Sequence, residues 1–429
     1  MNLRVHAACL AVAAALAALT GAPAATAVPA NGAPTTTTPT TTPFTTPNTD
    51  ACPQRTLPPA PIDTSEVPAP GEPTPQPLPV PSAPVGGKRL GECGVVTPDG
   101  APALPADISA TAWMVADLDT GRILAAKDPH GRYRPASTIK VALAIVALRT
   151  LDLDKVVVGT QADADVDGTR VGIGPGGRYT NRQLMQALIM CSGNDAAHAI
   201  ATQLGGDKAA TAKMNDLAKS LHALDTRAAT PSGLDGPGMS TSAYDLTTLF
   251  REAMRIPLFA ELIHTEQVDF PGFPADPAIP GDTDHPGFPI ANDNQLLYNY
   301  DGALGGKTGF TDDARQTFVA AAQRGGHRLV VTLLKADVRP IRPWEQAARL
   351  LDYGFGLSED ATVGSLPSEG GPAPTSVALA SPPPGAGDRY TAYESEPVPS
   401  RMLNAVLIGG GAALVVLLLW WARRLFRRR

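Results

Sequence analysis

The chain has 429 residues, with 41 acidic against 35 basic side chains for a formal net charge of −6. That balance excludes a nucleic-acid footprint, which needs a basic face or a domain pI above about 9, and the length leaves room for one large domain or two ordinary ones. The 43 prolines say more, because they crowd into Pro29 to Pro84, Pro271 to Pro289 and Pro367 to Pro399; the first and last of these read as linkers.

In chain order, Arg4, the apolar run Ala7 to Leu19 and Ala25-Thr26-Ala27 form the three parts of a secretory signal, expected over residues 1–27. Cys9 falls inside it and is removed with it. A Pro/Thr-rich linker is expected over 28–84, followed by a catalytic domain over 85–357. Within that domain, Ala112 to Asp117 and Arg122 to Ala126 flank Asp119-Thr120-Gly121 as a hairpin. Val141 to Leu151 reads as a buried helix, and Arg182 to Met190, Ala196 to Leu204, Ala209 to Leu221 and Thr241 to Met254 as further helices. Gln316 to Ala322 and Arg328 to Lys335 make a second hairpin around Gly325-Gly326, and Pro343 opens a closing helix. The expected fold class is α/β (α+β), one antiparallel sheet of terminal strands with a helical cluster.

Residues 358–401 read as a Pro/Gly-rich stalk. Met402 to Ala422 is apolar and uncharged over 21 residues, long enough for a transmembrane helix. Trp420, Trp421 and the arginines of the basic tail, 423–429, place that end in the cytoplasm and the rest outside. In such an oxidising location Cys52 and Cys93, which flank the Pro-rich tract, are the expected disulfide. Cys191 is then a free thiol, read as a small packed residue.

Three short elements carry chemistry. Ser137-Thr138-Ile139-Lys140 opens the apolar helix and sets a hydroxyl and an amine three residues apart on one face. A serine hydroxyl becomes a good nucleophile when a neighbouring base takes its proton, and burial or a second cation brings a lysine into that role. Ser192-Gly193-Asn194 sits between two helices, where a hydroxyl and a carboxamide can point into a cleft. Lys307-Thr308-Gly309 precedes Phe310 and a strand, where a cation and a hydroxyl can meet a carboxylate while glycine admits close backbone approach. The elements follow one another at separations of 55 and 115 residues. The seven histidines show no metal-ligand spacing, so no metal or cofactor is expected, and His198 reads as a surface or packed residue.

An S-x-x-K element with S-D-N and K-T-G is the signature of class A β-lactamases and penicillin-binding proteins; here the middle element is Ser-Gly-Asn. The chain resembles the low-molecular-mass penicillin-binding proteins, the serine-type D-alanyl-D-alanine carboxypeptidases, through Arg134 to Lys140, Leu188 to Ala197, Thr230 to Leu234, Asn294 to Thr311 and Leu351 to Phe355. The resemblance implies a penicillin-binding/serine β-lactamase-like fold, with Ser137 as nucleophile, Lys140 as its base and Ser192 as proton relay. It implies that Asn194 binds the acyl side chain, that Lys307, Thr308 and Gly309 receive the terminal carboxylate, and that the N–H groups of Ser137 and Phe310 form an oxyanion hole. Peptidoglycan stem peptides become the expected substrate and β-lactams the expected inhibitors, with an endopeptidase on cross-links or a β-lactamase as alternatives. A class A β-lactamase uses a deacylating glutamate; Glu252, Glu261 and Glu266 lie in the relevant interval without the E-x-x-L-N context, which favours the carboxypeptidase. Pro271 to Pro289 departs from the family pattern and reads as a loop at the cleft rim or a rigid surface loop.

Overall fold

Alternation along the strands sorts their side chains into two separate apolar cores, so the sheet they build is covered on both faces. The computed structural model describes residues 44–367 and the dipeptide Leu379–Ala380. The expected signal, 1–27, and the apolar segment 402–422 with its basic tail lie outside those residues. Among the described residues no helix is long and apolar enough to cross a membrane.

The first strands are the short β1 (Val80–Pro81) and β2 (Val95–Val96), followed by the hairpin β3 (Ala112–Asp117) and β4 (Arg122–Lys127). A helical region follows: α1 (Lys140–Thr150), the ribbon β5 (Val156–Val158) and β6 (Arg178–Thr180) with α2 (Gln161–Ala164) between them, then α3 (Asn181–Met190), α4 (Asn194–Gln203), α5 (Asp207–Ser220), α6 (Ala243–Ala253) and α7 (Pro257–His264). A second ribbon, β7 (Gln267–Phe270) and β8 (Phe288–Ala291), and the short α8 (Gln295–Asn299) lead into the long strands β9 (Ala303–Thr311), β10 (Arg315–Arg324) and β11 (His327–Ala336). The chain closes with α9 (Pro343–Phe355) and β12 (Gly364–Ser365), and β13 (Leu379–Ala380) pairs with β1.

The main sheet runs β12-β4-β3-β11-β10-β9, with β2 also on β4, and its pairs are antiparallel. On β3, Ala112, Met114 and Ala116 enter the core under the helical region, while Trp113 and Val115 enter the core under α9. Strand β10 divides in the same way, Val319 and Ala321 against Phe318, Ala320 and Ala322, as the two-residue period requires. Helix α1 is buried along most of its length, from Lys140 to Ala147, which explains its all-apolar face pattern. Local capping sets the boundaries: Thr180 and Gln183 form a reciprocal box at α3, and Ser242 accepts from Asp245 N at α6.

The segment expected as an N-terminal linker is packed against the domain from Phe44 onward. Cys52 and Cys93 form the expected disulfide. Proline carbonyls have no ladder of their own, and buried arginines supply the donors instead. Arg132 donates to Thr56 O (2.7 Å), Leu78 O (2.5 Å) and Pro79 O (2.9 Å), and Arg134 to Pro59 O (2.9 Å). Arg134 also forms a buried ion pair with Glu66, and Ile62 N donates to Asp313 Oδ1 at 2.7 Å. Composition hides this strap because its partners are single arginines far along the chain. At the other end the domain continues past 357: Val363 and Leu366 are buried and Gly364–Ser365 pairs with β4.

Candidate active site

The chain enters α1 through a constrained turn. Ala136 has φ +48°, a left-handed conformation that costs a non-glycine residue about 1–3 kcal/mol and persists only when its surroundings fix it. Pro135 O accepts from Thr317 Oγ1 at 2.7 Å and Thr138 Oγ1 at 2.6 Å. Gly233, at φ +89°, packs so closely that a Cβ there would lie 2.0 Å from Ala136 O. The turn delivers Ser137 one helical step before Lys140, whose side chain is fully buried.

The Lys140 Nζ lies 2.8 Å from Ser137 Oγ, 2.7 Å from Asn194 Oδ1 and 2.6 Å from Ser232 O. Two of these partners are carbonyl oxygens, which only accept. They take the two N–H groups of a neutral amine and leave its lone pair for the Ser137 hydroxyl proton. Burial, and next the Lys307 ammonium, hold the Lys140 pKa well below the usual lysine value, against the opposing pull of Asp293 and Asp195.

Ser192 stands between α3 and α4 with φ +61° and is buried. Asn194 is tied on three sides: beyond its contact with Lys140, its N–H donates to Thr169 O and its Nδ2 to Asp167 O, both at 2.7 Å. The next residue, Asp195, accepts from Val171 N (3.1 Å), Gly172 N (2.7 Å) and Ile173 N (3.0 Å). Loop 167–173 is therefore a wall held by the same helix start that presents Asn194. The Pro-rich stretch 271–289 connects β7 to β8 and enters the start of β8, and it packs on this wall's continuation, with Phe273 against Gly174 and Pro274 against Gly176. Cys191 is a half-buried free thiol whose pKa burial pushes up to about 11, so it stays protonated and is no nucleophile.

Among the described residues strand β9 ends the sheet, so one edge of its backbone carries no ladder partner there. It presents Lys307, Thr308, Gly309 and Phe310. Lys307 is fully buried; burial lowers its pKa, and the nearby Asp293 opposes that. Its Nζ donates to Thr308 O at 3.0 Å and lies 3.7 Å from Asp293 Oδ2, to which Thr308 Oγ1 donates at 2.8 Å. At Gly309 a Cβ would sit 2.4 Å from Thr317 Oγ1 and 2.9 Å from Ser137 N, so β9 and the Ser137 turn are in backbone contact only because the residue is glycine. Phe310 is half exposed, with the Arg315 guanidinium 5.8 Å from its ring centroid.

All three short elements thus converge around Ser137. Sequence reasoning missed Ser232 as an acceptor for Lys140, the carbonyls of Asp167 and Thr169, and Asp293. Thr230 to Leu234 was singled out only as a family segment, and a backbone acceptor leaves no residue-type signal. His198 donates to or accepts from Asp163 at 2.7 Å, away from Lys140. Glu252 pairs with Arg149 and Arg255, and Glu261 with Arg182. His130, Asp225 and Asp245 gather closely enough to suggest a cation site. Asp225, however, is already shared between the His130 ring at 2.8 Å and Arg132 Nε at 3.1 Å, and a cation would have to displace both.

A buried lysine amine that can accept a serine proton places the chain among the serine hydrolases that work through an acyl-enzyme. A family profile described as D-alanyl-D-alanine carboxypeptidase matches residues 99–338, and the chain belongs to that family. It is 47% identical over 275 residues to the D-alanyl-D-alanine carboxypeptidase DacB2 of Mycobacterium tuberculosis, across 63% of this chain and 90% of the relative. A crystal structure of a D-alanyl-D-alanine carboxypeptidase from Mycobacterium tuberculosis superposes with TM-score 0.58 at 46% identity, covering 63% of this chain and all of that one. The Streptomyces DD-transpeptidase superposes with TM-score 0.55 at 28% identity, over 60% of this chain and all of that one. The fold is that of the penicillin-binding DD-peptidases, with the antiparallel sheet and helical cluster expected from the sequence.

Proposed function

We propose that the protein removes the terminal D-alanine from peptidoglycan stem pentapeptides through an acyl-enzyme on Ser137. The observation that carries this reading is the buried Lys140 amine, 2.8 Å from Ser137 Oγ with its two other partners both carbonyls. Ser137 Oγ attacks the carbonyl of the penultimate D-alanine as its proton passes to Lys140 Nζ. The resulting oxyanion faces the N–H groups of Ser137 and Phe310, donors that act strongly when preorganised in a site without water. Collapse breaks the amide bond; the proton on Lys140 passes by way of Ser192 to the departing D-alanine nitrogen. Water then attacks the ester as Lys140 takes its proton; the C–O bond to Ser137 breaks, Lys140 returns that proton to Ser137 Oγ, and the shortened peptide leaves.

In this reading the substrate lies along the free edge of β9, as a peptide adds to an exposed sheet edge. Asn194 holds its acyl side and Lys307 with Thr308 its terminal carboxylate. Penicillins acylate the same serine and persist, because the glutamates of the interval between the second and third elements point elsewhere: Glu252 is paired with Arg149 and Arg255. We further propose that the enzyme works outside the cytoplasm, exported by residues 1–27 and anchored by the apolar segment 402–422, whose length and flanking Trp and Arg residues support this.

The test is release of free D-alanine from a pentapeptide ending in D-Ala-D-Ala, beside Ser137→Ala. Release that disappears in the variant is expected. Rapid penicillin hydrolysis without D-alanine release would replace this reading with a β-lactamase; cleavage of cross-linked dimers alone would replace it with an endopeptidase.

A further inference from the structure

Lys307 and Thr308 are already holding a carboxylate, and it belongs to the protein. Asp293 Oδ2 accepts from Thr308 Oγ1 at 2.8 Å and lies 3.7 Å from Lys307 Nζ. We propose that Asp293 occupies the carboxylate subsite of the resting enzyme, so that a substrate's terminal carboxylate must exchange with it for Lys307 and Thr308. The proposal deepens the carboxypeptidase reading and rests on it.

The placement of Asp293 is built rather than incidental. Its N–H donates to Met190 O at 2.9 Å, which ties it to the end of α3 just before Ser192. Before it, Asn292 is buried and donates to Ile263 O (3.2 Å) and Thr265 O (3.0 Å). After it, Asn294 is buried and caps α8 by accepting from Leu296 N at 3.0 Å. The backbone on both sides is fixed, while the Asp293 side chain is 36% exposed, so only side-chain rotation is needed to turn it toward water.

The chemistry calls for such an occupant. An ammonium buried as completely as Lys307 requires a counter-charge, and Asp293 supplies it while the cleft is empty. An incoming terminal carboxylate brings its own charge to the same two groups, and two carboxylates sharing one site repel. Asp293 then turns outward and the incoming group takes its place. A ligand without that carboxylate cannot repeat the exchange and leaves Asp293 where it is. Asp293 thereby sets how strongly the enzyme holds carboxylate-terminated chains and separates them from blocked ones.

The test compares Ser137→Ala with Ser137→Ala/Asp293→Asn by titration calorimetry, using an acetylated peptide ending in D-Ala-D-Ala and its C-terminal amide. Asparagine keeps the shape and removes the competing charge. We expect binding of the carboxylate peptide to tighten ~3- to 10-fold, the size of one ordinary net hydrogen bond, with the amide unchanged. In the active enzyme Asp293→Asn should lower KM by the same factor and leave kcat in place, a split that a merely structural role would not produce. Equal effects on both peptides, no effect, or weaker binding of the carboxylate peptide would overturn the proposal. Absence of D-alanine release by the wild type would remove the carboxypeptidase reading instead, and the calorimetric comparison would still decide the role of Asp293.

Discussion

Opening the Cys52–Cys93 disulfide should loosen the N-terminal strap and lower the stability of the whole domain. The bridge joins residues 41 apart. In the chain-entropy account, closing a loop of that length removes unfolded-state freedom equivalent to about 4 kcal/mol at 25 °C. The folded unit has roughly 320 described residues, and at the usual unfolding entropy per residue that loss shifts the melting temperature by ~6 °C. Arg132 and Arg134 continue to hold the carbonyls of Thr56, Leu78, Pro79 and Pro59, so the strap should open locally before the core does. The assay is scanning calorimetry of Cys52→Ser/Cys93→Ser against the wild type, with limited proteolysis read by mass. We expect a melting point several degrees lower and new cuts within 57–79. A variant that melts within about 1 °C of wild type and resists the protease would refute the argument and leave the arginines as sufficient anchors.

Two further outcomes follow from the site. The acid limb of penicillin acylation against pH should report Lys140 losing its proton: acylation rises with pH through a pKa well below the ordinary lysine value. Lys307→Gln removes the second cause of that lowering, after burial, so the limb should move to higher pH; a shift to lower pH would contradict the electrostatic account. Gly309→Ala introduces a Cβ 2.4 Å from Thr317 Oγ1 and 2.9 Å from Ser137 N, forcing β9 away from the nucleophile. Acylation should slow by ~100-fold or more, the usual loss when one oxyanion donor is displaced; near-wild-type acylation rates would rule out the close approach as a functional requirement.

The central hairpins and helices were legible because their periods are strong. The expected helix Val141 to Leu151 is α1 (Lys140–Thr150), and the expected strand Gln316 to Ala322 lies inside β10 (Arg315–Arg324). Helix α7 escaped notice although Pro257 marks its first turn, because eight residues between two loops give too few repeats to show a period. The β7–β8 ribbon was hidden by proline, which argues against strands; here it pairs over four residues with Pro289 inside β8 opposite Asp269, while the other prolines of the stretch lie between the two strands. The Ser137, Lys140 and Asn194 contact was readable as three short patterns, since the chemistry needs those side chains. The contributions of Ser232 and Thr169 were not, since a carbonyl looks the same at every residue. Asp293 was hidden for a third reason: an acid beside a subsite for acids runs against the expected charge of that subsite.

The order of strands also decides where mechanical force would act. Gly309 lies on β9 at one edge of the sheet, and Gly364–Ser365 lies on β12 at the other. Five strand spacings of about 4.8 Å put ~24 Å between them. Tension applied to the chain beyond residue 380 would be borne first by the two-residue pairing of β13 with β1, then by the bonds from Arg251 Nη1 to Pro367 O at 3.1 Å and from Leu366 N to Gly121 O at 2.7 Å, and next by the pairing of β12 with β4. Those contacts would peel before any load crossed the four strands that lie between β12 and β9. Load entering from the C-terminal side would thus be taken up at the sheet edge opposite the one that holds Gly309 against the nucleophile.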